Sequence, residues 1–151
     1  MKVAVLMGSQ SDTEKMAKAG ETLAEFGIEA DVRVLSAHRN PDEVVALARS
    51  ARAEGYVAFI CGAGMAAHLA GAVAANTTLP VVGVPLSGGA LNGVDALYST
   101  VQMPKGIPVA TVAVDGSQNA ALLVVQMIAI TDSYMAAKLE AKRIEMGGGA
   151  R

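Results

Sequence analysis

Both histidines of this 151-residue chain stand among residues that can do chemistry. The first lies in Ser36-Ala37-His38-Arg39-Asn40-Pro41, where a hydroxyl, an imidazole and a guanidinium fall close together. An imidazole both delivers and removes protons near neutral pH, and a guanidinium grips phosphate in bidentate fashion. Each also has a plainer reading, His38 as a polar turn residue and Arg39 as a solvated surface charge. Gly8-Ser9-Gln10-Ser11-Asp12 adds two hydroxyls and, where a helix begins, free N–H groups suited to a phosphate. Ser11 with Glu14 is at the same time a capping box, so helix capping competes with ligand binding in that loop and leads when the loop is taken alone. The second histidine closes Gly62-Ala63-Gly64-Met65-Ala66-Ala67-His68, whose GxGxxA spacing points toward a dinucleotide. That match is weak, because it follows the third strand and the next strand ends without an acid for a ribose diol. Gly62 and Gly64 are read instead as letting the backbone approach a ligand, with His68 lining the site rather than leading catalysis.

The elements that must position these loops follow from apolar spacing. VAVLM (3–7) reads as a strand leading through GSQSD into helix TEKMAKAGETLAEFG, and DVRVLS leads through AHRN into helix PDEVVALARSARAEG. There Asn40 is the expected N-cap, Pro41 the first helical residue and Glu43 the partner of a capping box. YVAFICGAG, PVVGVP and IPVATVAV complete five β/α units without hairpin signals, which implies a parallel sheet covered by helices on both faces. A flavodoxin-like strand order brings the first two loops to one edge of the sheet, where open α/β folds bind ligands. The last helix could run from Asn119 to Met146, about 28 residues or about 42 Å at 1.5 Å per residue, longer than such a domain is wide. Thr131 and Asp132 offer a break, yet MAAKLEAKRIEM still needs somewhere to lay its apolar face, and a neighbouring subunit is the expected place. The chain is expected to form one domain over 1–151, with 147–151 a frayed tail.

Composition narrows the function. Hydrophobic residues make up 52% and charged residues 17% of the chain, and the mean hydropathy is +0.40. That is more apolar surface than a small monomer hides, so a homo-oligomer is expected. A net charge of -2, with three tyrosines, two phenylalanines and no tryptophan, argues against a nucleic-acid groove and an anionic membrane partner. A small substrate fits better. The single cysteine, Cys61, fits a reducing cytoplasm, and neither a signal peptide nor an 18-residue apolar span is visible. No HExxH or CxxC spacing supports zinc, PLSGG lacks a nucleophile elbow, and no Walker lysine follows either glycine loop.

In order along nearly the whole chain, MGSQSD, SAHR-NPDE, GAG-AAHL-G, PVVGVP, ALNGVDALYSTVQMPKGIPVATVAV and NAALLVVQMI closely resemble the N5-carboxyaminoimidazole ribonucleotide mutases. These are the bacterial-type members of the aminoimidazole ribonucleotide carboxylase family of de novo purine biosynthesis. The resemblance implies a three-layer α/β/α subunit in an octamer, with active sites near subunit contacts. It implies transfer of a carboxylate from the exocyclic nitrogen of the ribonucleotide to a ring carbon, with neither metal nor ATP. Ser9, Ser11, Asp12 and Arg39 match the family's phosphate and ribose residues, with Ser36 beside them, and His38 matches its general acid/base. Backbone amides around Gly62, Gly64 and His68 would then surround the migrating group. Two positions depart from the family pattern, which has glycine where Met65 stands and proline where Ala70 stands. Relatives that use free carbon dioxide directly carry lysine after SAH and lack the AAHL histidine, so Arg39 and His68 favour the mutase. The alternatives are the direct carboxylase and a non-catalytic nucleotide-binding module.

Overall fold

Val3, Ala4, Val5 and Leu6 of the first strand are wholly shielded from solvent, with no polar alternation between them. Such a run belongs to a parallel sheet covered on both faces. In the computed structural model, which describes residues 1–147, that strand is β1 (Lys2–Met7). It pairs on one side with β2 (Glu29–Val34) and on the other with β3 (Tyr56–Gly64), which continues through β4 (Val81–Leu86) to β5 (Ala110–Thr111). All pairings are parallel, and the order β2-β1-β3-β4-β5 is the expected flavodoxin-like one.

Because strand side chains alternate, β1 feeds two cores at once. Val3, Val5 and Met7 join Met16 and Leu23 of α1 (Thr13–Glu25) and Val124 of α5 (Ser117–Ala129). Ala4 and Leu6 face Val44 and Leu47 of α2 (Pro41–Ser50) and Leu69 and Val73 of α3 (Leu69–Ala74). On that second face α4 (Val94–Val101) crosses β4 at Gly83, where a Cβ would run into Thr100 and Val109. The layers are therefore α/β/α.

Two local expectations change. Strand β2 starts and stops two residues earlier than DVRVLS suggests, so Ser36 to Asn40 lie wholly in a loop at the carboxyl edge. The last helix breaks where Thr131 and Asp132 offered a break, so the single rod expected from Asn119 to Met146 does not form. It divides at Asp132, whose extended backbone and carboxylate, 3.0 Å from the Met135 N–H, begin α6 (Ser133–Glu145) afresh. Nor does α6 simply leave the body: Met135 is buried, Lys138 Nζ donates to the Glu25 carbonyl at 3.2 Å, and Lys142 pairs with the Glu25 carboxylate. Cations at the carboxyl end of α1 complement its dipole. Ile130, Tyr134, Ile144 and Met146 stay exposed on this C-terminal pair. The frayed tail expected over 147–151 lies, from residue 148 onward, outside the described residues.

Removing the cap tests the division. Asp132→Ala is expected to cost about 1 kcal/mol, the usual worth of an N-cap carboxylate. Urea denaturation reads it, and an unchanged midpoint would mean the break does not depend on this side chain.

Candidate active site

The carboxyl edge gathers loops from four strands. After β1, the Gly8 N–H donates to the Gly62 carbonyl at 3.2 Å, fixing the first loop to the sheet. Ser9 is extended and caps a short 3-10 turn, Gln10–Asp12, its Oγ accepting from the Ser11 N–H at 3.3 Å and from the Ser11 hydroxyl at 2.9 Å. Capping therefore falls to Ser9, and no Ser11–Glu14 capping box forms. Burial pushes the Asp12 carboxyl above the usual range, against the opposing pull of the Ser9 backbone, Lys15 and Arg39. A desolvated carboxyl near two cations is a polar group held ready for a partner.

The second loop is built around Ser36. The Leu35 N–H still reaches the Met7 carbonyl at 2.9 Å, which carries the ladder just past β2. Ser36 is buried, and its Oγ accepts from the backbone N–H groups of both His38 and Arg39 at 3.3 Å. One hydroxyl thus sets the direction of the imidazole and the guanidinium. Pro41 opens α2 as expected, but Asn40 caps no N–H: its amide meets Glu43 at 3.3 Å and the Ser36 N–H at 3.4 Å. The Arg39 guanidinium donates to the Gly8 carbonyl, joining the second loop to the first.

The third loop supplies the other histidine. His68 occupies the N-cap position of α3 rather than its first turns, and its ring meets that of His38 edge-on, with centroids 5.6 Å apart at 64°. Together the loops line an open cleft of about 660 Å³ that holds Ser9, Ser11, Asp12, Ser36, His38, Arg39, Gly64 and His68. Gly62 is the exception among the expected site residues. It does not line the cleft; a Cβ there would collide with the Met16 side chain, so this glycine makes room for the core under the loop.

Residues that spacing alone did not single out complete the wall. Ser87, Gly88 and Gly89 follow β4, and Lys15 reaches them from α1, its Nζ donating to the Ser87 carbonyl at 2.6 Å. The Asp115 carboxylate accepts from the Ser87 N–H at 2.9 Å. Burial acts to raise the Asp115 carboxyl, but its bonds from Ser87 together with Lys15 hold it below the ordinary range. The signal for this loop was its place: a Ser-Gly-Gly turn at the carboxyl end of a central strand. A hollow of about 720 Å³ at the other end of the sheet contains Arg49 and Arg52 but neither histidine. Among the described residues, both histidines meet Asp12 and Arg39 at the carboxyl edge.

Known proteins share both the sequence and the topology. The family described as AIR carboxylase matches residues 2–148. The chain is 54% identical over 140 residues to the N5-carboxyaminoimidazole ribonucleotide mutase of Brucella melitensis, covering 91% of this chain and 86% of that one. It is 49% identical over 138 residues to the phosphoribosylaminoimidazole carboxylase of Schizosaccharomyces pombe, but covers only 25% of that longer protein. Among solved structures, PurE of Treponema denticola superposes with a TM-score of 0.88 at 30% identity, covering 97% of this chain and 92% of that one. Agreement on this scale, along nearly the whole chain and its fold, places the chain in the AIR carboxylase family.

Proposed function

We propose that this chain is an N5-carboxyaminoimidazole ribonucleotide mutase of de novo purine biosynthesis, acting as one domain on a nucleotide substrate with no cofactor. The observation that carries the reading is the meeting of His38 and His68, with ring centroids 5.6 Å apart, in one cleft with Ser9, Ser11, Asp12 and Arg39. Ser9, Ser11, Asp12 and Arg39 hold the phosphate and ribose. Arg39 spends one donor on Gly8 and keeps others for an anion, as a guanidinium carries five. Ser36 acts through the backbone of His38 and Arg39.

The chemistry then needs one proton carrier. His38 delivers a proton to the exocyclic nitrogen as its bond to the carboxylate breaks, releasing carbon dioxide. The ring carbon attacks that carbon dioxide, forming the new carbon–carbon bond, and its own proton returns to His38 as aromaticity is restored. The proton account closes, with neither oxidant nor reductant. Backbone at Gly64 and His68 borders the migrating group, and binding the nucleotide beside it keeps the freed molecule near its acceptor. Arg39 and His68 favour this reading over direct carboxylation with free carbon dioxide. The deciding assay is conversion of the N-carboxylated ribonucleotide, followed by ultraviolet absorbance. No conversion, with binding intact, would leave only a nucleotide-binding module.

The same reading assigns an octamer in the cytoplasm. Leu91, Val94, Tyr98 and Val101 form an exposed apolar stripe along and just before α4, and Ile130, Tyr134, Ile144 and Met146 add another on α5–α6. Neighbouring subunits are the natural cover for both. Light scattering at micromolar concentration is expected to give eight times the subunit mass of 15.3 kDa, and a monomeric mass would reject the assembly. The lone thiol of Cys61 is buried, which pushes its pKa up and leaves it inert, as suits a reducing compartment.

A further inference from the structure

Lys15 and Asp115 have no part in the chemistry above, yet both close on Ser87, the first residue after β4 and part of the cleft wall. Lys15 reaches it from α1, its Nζ donating to the Ser87 carbonyl at 2.6 Å, and Asp115 from the turn before α5, its carboxylate accepting from the Ser87 N–H at 2.9 Å. Two opposite charges thus grip consecutive peptide groups, each at the end of the dipole that suits it. Both are themselves anchored. The buried Ser117 hydroxyl donates to the Lys15 carbonyl at 2.6 Å, and the Asp115 N–H donates to the Pro85 carbonyl at 2.8 Å. Asp115 also holds a φ of 58°, a left-handed conformation that a non-glycine residue keeps only at a cost. Beyond Ser87 the loop has little else to hold it. Gly88 and Gly89 are exposed with positive φ, and among the described residues neither they nor Ala90 make a backbone hydrogen bond.

We propose that Lys15 and Asp115 are positioning residues for the nucleotide: by gripping Ser87 they hold the Ser87–Gly89 loop as a preset wall of the cleft, which the ligand need not order on binding. The inference rests on the cleft being a nucleotide site and adds what fixes one of its walls. Glycine backbone loses the most freedom on ordering, so a loop of this composition weakens binding unless it is held in advance. Lys15 lines the cleft, whereas Asp115 lines the neighbouring hollow behind the wall and acts on the ligand through Ser87. Its sign makes the reading specific. Removing an anion favours a phosphate ligand by charge alone, whereas losing the grip on Ser87 weakens the same ligand.

The test measures, by calorimetry, the binding of aminoimidazole ribonucleotide and of its ribonucleoside, neither of which carries a carboxylate to move. Asp115→Gly removes the carboxylate while glycine keeps the positive φ freely, and Lys15→Met removes the ammonium at similar length. Each is expected to raise both dissociation constants about fivefold, or about 1 kcal/mol, roughly the cost of ordering one residue. The double variant should fall well short of roughly 25-fold, the product of independent effects, because either change releases the same loop. Asp115→Asn keeps an acceptor for the Ser87 N–H and tolerates the backbone, so it should stay nearer the parent than Asp115→Gly. Tighter or unchanged binding in Asp115→Gly would overturn the clamp. So would a loss in Lys15→Met confined to the phosphorylated ligand, which would make Lys15 a phosphate contact, or a loss in Asp115→Asn as large as that in Asp115→Gly. A parent that binds neither ligand would overturn the clamp together with the site it serves. Conversion of the N-carboxylated ribonucleotide is a separate measurement, so a failure of the mutase reading is seen apart from a failure of the clamp.

Discussion

His38→Asn is expected to bind the substrate nucleotide with nearly parental affinity and to turn it over at least about a hundredfold more slowly, the low end of what a positioned acid/base contributes. The expectation follows from the turn. The Ser36 hydroxyl is held by the His38 and Arg39 N–H groups and asks nothing of the imidazole, so an amide side chain leaves the loop standing. What goes is the only group proposed to put a proton on the departing nitrogen and take one from the ring carbon. Both half-reactions fail together, and no build-up of decarboxylated nucleotide should accompany the loss. Single-turnover absorbance measures the chemistry and calorimetry the binding. Turnover near the parental rate would remove His38 from its role, and His68, at 5.6 Å, would be the next candidate.

Arg39→Ala is the second large effect, and it falls on binding. A guanidinium–phosphate contact is worth about 1.5–3 kcal/mol, so the dissociation constant should rise about tenfold to a hundredfold. The link from Arg39 to the Gly8 carbonyl is lost as well, but it spans exposed loops outside both cores and adds little to stability. Unfolding should hardly change. A ribonucleoside lacking its phosphate should bind parent and variant alike, which isolates the phosphate as the partner. An unchanged dissociation constant for the nucleotide would take Arg39 out of the site.

The parallel sheet was readable because the central strands, covered on both faces, have no polar side to disguise them, and because helices such as α2 and α4 begin beside Asn-Pro or glycine turns. The order of the strands and the meeting of the Gly8–Asp12 loop with Arg39 follow from that pattern. Other features were not readable. Ser9 rather than Ser11 does the capping because the chain tightens into a 3-10 turn before α1, and nothing in the residue spacing distinguishes that turn from a helical one. Lys15 carries no signal of its place in the site, since its target is a backbone carbonyl seventy-two positions away and carbonyls leave no trace in sequence. Asp132 was legible as a break, but not the return of α6 to Glu25, because contacts that distant depend on the angle at the break. Gly62 resembled a ligand glycine for a related reason: a residue type records that space is needed, not which neighbour needs it.

That neighbour gives Gly62 a wider consequence. Met16 fills the volume where a side chain at position 62 would stand, and the carbonyl of Gly62 carries the N–H of Gly8. Positions 16 and 62 therefore share one volume, and a side chain at 62 requires Met16 to yield or shrink. A side chain added at position 62 would press on Met16 beneath the Gly8–Asp12 loop, while every side chain that lines the cleft kept its identity. In a lineage of such enzymes, affinity could thus be altered from inside the core, and a comparison confined to the residues around the cleft would find nothing changed.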